Sequence, residues 1–187
     1  RPFFGGWEPE RGMIWWQDPG YRTLGDFFRF GDALFYPVYS SLSSVWNGIY
    51  ASFWMDSTLG SSVNRVEAPE WNYGFLLTSV WLGLVPSALI LAGLVRTVAA
   101  PRKHAGTGHL FAVLCVAMYF AVILNLCLHV PFFSPIKASY TVGLTPCYAL
   151  LATAGVEIAS KWRTPRFVLH GLLATWAFAA YAGYFIL

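Results

Sequence analysis

Two arginines, Arg22 and Arg29, stand among Tyr21, Phe27, Phe28 and Phe30 in the stretch QDPGYRTLGDFFRFGDALF. A guanidinium offers a planar fork of donors that matches phosphate, and aromatic rings suit the boundary between water and hydrocarbon. The chemistry indicated is recognition of an anionic lipid head group. Both side chains are also open to pairing with Asp18, Asp26 or Asp32, or to snorkelling along apolar neighbours. Lys137 is the one charge in FFSPIKASY, flanked by Pro131, Phe132, Phe133, Pro135 and Tyr140. A phosphate or pyrophosphate would explain a Lys in such a place, and so would an interfacial anchor.

The elements that must position these residues follow from spacing. A short helix is expected over about Leu24–Phe35, which turns Arg22 and Arg29 roughly the same way. Pro37 separates it from PVYSSLSSVWNGIYASFWMD, residues 37–56. There Val38, Leu42, Val45, Trp46, Ile49, Tyr50, Phe53 and Trp54 step by three and four, forming one helical stripe. The other side is small and polar: Ser40, Ser41, Ser43, Ser44, Asn47, Gly48 and Ser52. The pattern predicts an amphipathic aromatic helix on a membrane surface, its small polar face turned to water or a cleft. Residues 1–23 read as loop, with a turn at Asp18-Pro19-Gly20, and residues 57–69 read as an exposed connector.

Composition sets the wider frame. Of 187 residues, 57% are hydrophobic, 18% aromatic and 11% charged, against about 25% charged in an average soluble domain. Four long apolar runs follow residue 72, at about 73–95, 110–130, 140–159 and 167–187. Each approaches the ~20 residues that a bilayer requires of a helix. The fold class expected is all-α integral membrane: four transmembrane helices preceded by an outward-facing loop region, residues 1–72, that carries the interfacial helix.

Residues 1–72 hold five Arg against eight acids, whereas residues 73–187 hold seven basic residues against Glu157 alone. Arg96, Arg102 and Lys103 lie in one loop, and Lys161, Arg163 and Arg166 in another. The positive-inside rule puts loops 96–109 and 160–166 in the cytoplasm, and residues 1–72 with loop 131–139 outside. The basic residues do not form a nucleic-acid face. Cys115, Cys127 and Cys147 sit in apolar runs, and neither they nor the four histidines have metal spacing. Arg1 opens the chain, and the expectation is of a fragment of something longer.

Polar residues within the spans have structural readings. Asn125 and His129 share a face and suit a packing contact. Glu157 is expected to pair with Lys161 four residues on, and His170 to sit at the interface. Pro86 and Pro146 are expected to bend their helices. Ala179 and Gly183 suit close helix contact.

DPGYRTLGDFFRFGDALFYPVYSSLSSVWNGIYASFWMD, followed by WNY and a run of spans with an outer KASY segment, resembles the C-terminal half of bacterial polytopic glycosyltransferases of the GT-C type. The narrower similarity is to the protein mannosyltransferase and aminoarabinose transferase group. The resemblance implies an enzyme that takes a sugar from a polyprenyl-phosphate carrier on the outer face of the plasma (inner) membrane. Its catalytic acid–base residue would lie upstream of this chain. By position, Tyr21, Arg22, Arg29 and Lys137 would hold the carrier phosphate, while Trp46, Tyr50, Trp54 and Tyr140 would flank the sugar or lipid. The partners implied are membrane lipid and the lipid-linked sugar, with no metal or other cofactor and no nucleic acid; nothing specifies the oligomeric state. Two other readings stand beside it: a non-catalytic lipid-binding membrane module or subunit, and a transporter fragment. The transporter is weakened because no span carries a buried charge or a matching pair of broken helices.

Overall fold

A helix that begins in apolar sequence must find partners for its first free N–H groups, and here the sequence places Ser or Asn at those points. A computed structural model of the chain describes residues 27–38, 40, 43–55, 71–99, 107–129, 138–161 and 166–186. The elements are α1 (Asp32–Phe35), α2 (Val45–Trp54), α3 (Tyr73–Leu82), α4 (Leu84–Ala99), α5 (Thr107–His129), α6 (Thr145–Lys161) and α7 (Arg166–Phe185), with a 3-10 stretch at Ala138–Leu144 before α6. The described residues are all-helical in their regular structure. They fall into two compact units, one within Arg1–Trp71 and Ala121–Ser139, the other within Asn72–Phe120 and Tyr140–Leu187.

Among the described residues, four helical stretches are long and apolar enough to cross a bilayer: Tyr73–Ala99, Gly108–Asn125, Tyr140–Lys161 and Arg166–Phe185. The first has 27 residues, about 40 Å at the α-helical rise and more than the ~30 Å hydrocarbon core. Pro86 has no N–H for the Leu82 carbonyl, and the regular α-helix is interrupted at Gly83 before the ladder resumes with Ser87 N–H donating to the Gly83 carbonyl at 3.0 Å. Pro146 behaves differently. It is the second residue of α6, following the 3-10 stretch, and the first turn of a helix tolerates a missing N–H. It starts a helix and does not bend one.

In the second unit α4 packs along α6, and α3 along α7. Both pairs come together through glycine. A Cβ on Gly93 would overlap the Leu151 carbonyl, and one on Gly155 would overlap the Leu89 carbonyl. The two backbones therefore touch where Leu89, Gly93 and Thr97 face Leu151, Ala154 and Gly155. Gly183 does the same for the other pair: a Cβ there would run into the Leu76 side chain and amide, with Ala179 and Ala182 buried beside it. The close contact read from Ala179 and Gly183 is thus real. Asn72 N–H donates to the Gly183 carbonyl at 2.9 Å, and the Asn72 side chain caps α3 by accepting from Phe75 N–H. Buried hydroxyls are satisfied locally, Ser79 Oγ on the Leu76 carbonyl and Thr97 Oγ1 on the Gly93 carbonyl, both at 2.8 Å. Large apolar side chains such as Leu91, Phe111, Leu114, Met118, Phe167 and Phe185 project outward, a surface compatible with lipid.

Glu157 does not rely on Lys161. Its carboxylate takes a 2.7 Å ion pair from Arg96, whose guanidinium also donates to the Ala154 carbonyl at 3.1 Å. Close packing of α4 on α6 sets Arg96 against the end of α6, which the intrahelical spacing does not reveal. Asn125 is exposed, and the side chain of His129 lies outside the described residues.

The first unit departs more from its expectation. Over the stretch expected to be helical at 24–35, residues 24–26 lie outside the described residues and only Asp32–Phe35 is α-helical. Gly31 has φ 138°, a left-handed conformation that blocks a helix from passing through it. The aromatic helix also starts later than residue 37. Ser44 is its N-cap, accepting from Asn47 N–H at 3.1 Å. It ends where Met55 turns extended, and residue 56 lies outside the described residues. The small polar face is not turned to water. Ser40, Ser44, Asn47 and Gly48 are buried, because that face is covered by residues 27–33.

Candidate functional site

The segment Phe27–Ala33 has no regular ladder of its own, so its backbone groups must be paired by something else. Side chains of α2 and its cap do this. Trp46 Nε1 donates to the Phe27 carbonyl at 2.5 Å, and Ser44 Oγ to the Arg29 carbonyl at 2.8 Å. Asn47 Oδ1 accepts from Gly31 N–H at 3.0 Å and Ala33 N–H at 3.2 Å. Its Nδ2 donates to Ser43 Oγ, and its backbone carbonyl accepts from Ser40 Oγ. Asn47 is fully buried with every polar group engaged. One amide acts as a substitute strand edge.

This strap lays the Arg29 backbone on the start of the helix that carries Trp46 and Tyr50. Arg29 is exposed, held through its backbone at the start of α2, and forms no ion pair among the described residues. Asp32 is exposed nearby without pairing to it. Phe30 meets Tyr50 edge-on, ring centres 5.3 Å apart. Trp46 lies at the exposed rim. Trp54 is half-buried farther along the helix, its ring 4.6 Å from that of Phe53. Burial pushes the Tyr50 phenol well above its ordinary range, since the phenolate is the form that loses hydration. Tyr50 therefore stays a neutral O–H. Arg29 on the strap and Trp46 on α2 present a cation and an indole at the exposed surface of this unit, residue types suited to a phosphate beside an apolar group.

A longer-range bond reaches Ala138. Ala138 N–H donates to Ser52 Oγ at 2.8 Å, and the Ser52 hydroxyl donates in turn to the Gly48 carbonyl at 2.6 Å. Residue 138 directly follows Lys137 in the chain. Lys137 itself lies outside the described residues, as do Tyr21 and Arg22. Tyr140 is exposed on the 3-10 stretch of the other unit.

Spacing alone missed Ser44, Asn47 and Ser52 as the residues that build this surface. One signal was present: Ser44 three residues before Asn47, ahead of an apolar run, is a start-of-helix pattern. Nothing local marks Ser52 as a partner for residue 138. Among the described residues no group of three or more His, Cys, Asp or Glu is placed to hold a metal, and Cys115 and Cys147 are free thiols. Comparison with protein-family models, with curated proteins and with solved structures finds no match to this chain.

Proposed function

We propose that the chain is part of a membrane glycosyltransferase that moves a sugar from a polyprenyl-phosphate carrier to an acceptor on the outer face of a bacterial plasma membrane. In this reading residues 1–72 and 131–139 lie outside, and loops 96–109 and 160–166 lie in the cytoplasm. The observation that carries it is the strap that fixes the Arg29 backbone on α2, the helix bearing Trp46 and Tyr50, together with the bond from Ala138 N–H to Ser52 on the same helix. As the bond from the sugar anomeric carbon to the phosphate oxygen breaks, negative charge grows on the phosphate. Fixed cations and donors at Arg29, Lys137 and Tyr50 stabilise that charge. The acceptor oxygen bonds the anomeric carbon, and its proton passes to a general base.

The buried polar face of α2 changes one part of this reading. Ser40 and Ser44 are engaged with backbone, so the small polar face expected to meet water or a cleft spends these hydroxyls inside the unit. That burial favours the second reading, a non-catalytic lipid-binding module that presents only cations and rings.

The test is sugar transfer from a polyprenyl-phosphate donor by the full-length protein in its membrane, with Arg29→Ala and Lys137→Ala. Each is expected to lower turnover about ten- to hundred-fold, the range for loss of one charge-stabilising donor. Unchanged turnover in both removes the assignment. Carrier binding by the parent protein without transfer selects the module.

A further inference from the structure

The consecutive helices α6 and α7 are each drawn to a different neighbour, α6 to α4 and α7 to α3. Their adjacent ends are left to line a cleft of about 250 Å³, bounded by Val156, Ala159 and Ser160 of α6 and by Arg166, Leu169 and His170 of α7. Both sets fall at i, i+3 and i+4, so each helix gives the cleft one face. The walls are apolar at Val156, Ala159 and Leu169. The mouth is cationic. Arg166 is exposed and opens α7, where the helix dipole favours an anion. His170 Nδ1 is 2.6 Å from the Arg166 carbonyl, which leaves Nε2 as the ring atom for a ligand. Lys161, also exposed, ends α6. The acid closest along the chain, Glu157, is already held by Arg96.

We infer that this cleft is a binding site for an anionic phospholipid of the leaflet that meets this end of the bundle, distinct from the carrier site proposed above and independent of it. The phosphate would sit on Arg166, and the first acyl methylenes against Val156, Ala159 and Leu169. The charge pattern selects the occupant. Basic pockets between membrane helices favour anionic head groups, and a zwitterionic lipid would bring its own cation to Arg166. A volume somewhat below that of a pocket for a whole small ligand suits part of a lipid. A soluble phosphate would gain nothing from the apolar walls.

Native mass spectrometry of the detergent-purified protein, titrated with phosphatidylglycerol or phosphatidylcholine of the same acyl chains, tests this. The parent should retain phosphatidylglycerol preferentially. Arg166→Gln should weaken that retention about five-fold or more, the worth of one basic residue at a lipid surface. Ala159→Phe fills the apolar wall without touching charge and should weaken it as well. Equal retention of the two lipids overturns the site. So does undiminished binding in Ala159→Phe, which would reduce the effect to surface charge. Displacement of the lipid by inorganic phosphate at millimolar concentration would replace the lipid with a soluble anion.

Discussion

Around α2, order comes from side chains that stand in for backbone: Asn47 pairs two N–H groups of a segment with no ladder, and Ser44, Trp46 and Ser52 each take one more backbone group. In the unit that holds α3, α4, α6 and α7 the arrangement is reversed. Within those helices the backbone is largely self-paired, and their closest approaches depend on the absence of side chain at Gly93, Gly155 and Gly183, with Asn72 and Arg96 adding polar bonds between helices. The contrast follows from what each segment lacks. An irregular strap has polar groups to pair and little apolar surface to spend on packing. Apolar helices have no polar deficit, and in lipid they gain by close approach and dispersion contact. Polar substitutions should therefore hurt one unit and bulky ones the other.

The largest effect should come from Gly93→Val. Its added atoms meet backbone carbonyl, which cannot rotate away, so the cost should exceed the ~1–3 kcal/mol usual for overpacking. Loss of a folded, monodisperse species in detergent unfolding would show it, and a tolerated valine would break the comparison. Asn47→Ala should come next, at about 1–3 kcal/mol, because it strands the buried Ala33 N–H and the part-buried Gly31 N–H. Hydrogen exchange should rise sharply at residues 31–33 and stay unchanged in α4 and α6. Protection retained at 31–33 would mean that the strap is held by apolar contact. Gly171→Ala sharpens the comparison from the opposite sign. A Cβ there meets open space, so the variant should be neutral or more stable by about 0.5–1 kcal/mol through lost chain entropy.

How far the sequence could be read tracks the same contrast. The four apolar runs were legible to within a few residues because each ends at charges, as at Arg96, Lys161 and Arg166, and length against bilayer thickness needs no tertiary knowledge. Gly183 was legible from its small-residue spacing. Gly93 and Gly155 were not, since each needs the other helix to give it meaning. Around α2 the stripe of large residues was visible, but the serines and Asn47 carried two readings. A small polar face turned to water and one folded under a strap have identical spacing, and only the position of Phe27–Ala33 separates them. Glu157 failed for a related reason: a partner four residues away is apparent in the sequence, whereas Arg96 on another helix is not. Of the candidate site, the residue types at Arg29, Trp46 and Tyr50 were readable, and the hydrogen bonds that lay the strap on α2 were not.

The joint at Gly83 divides the labour of one long crossing. Above and below it, the two halves answer to different companions, α3 to α7 and α4 to α6. Adding or deleting a single residue there would rotate one half by about 100° about its axis while leaving the other in place. Leu76 and Val80 would then swing off α7 even though Gly93 kept its seat on Leu151. The phase between the two halves, and not the apolar character of either, decides whether both partnerships can hold at once.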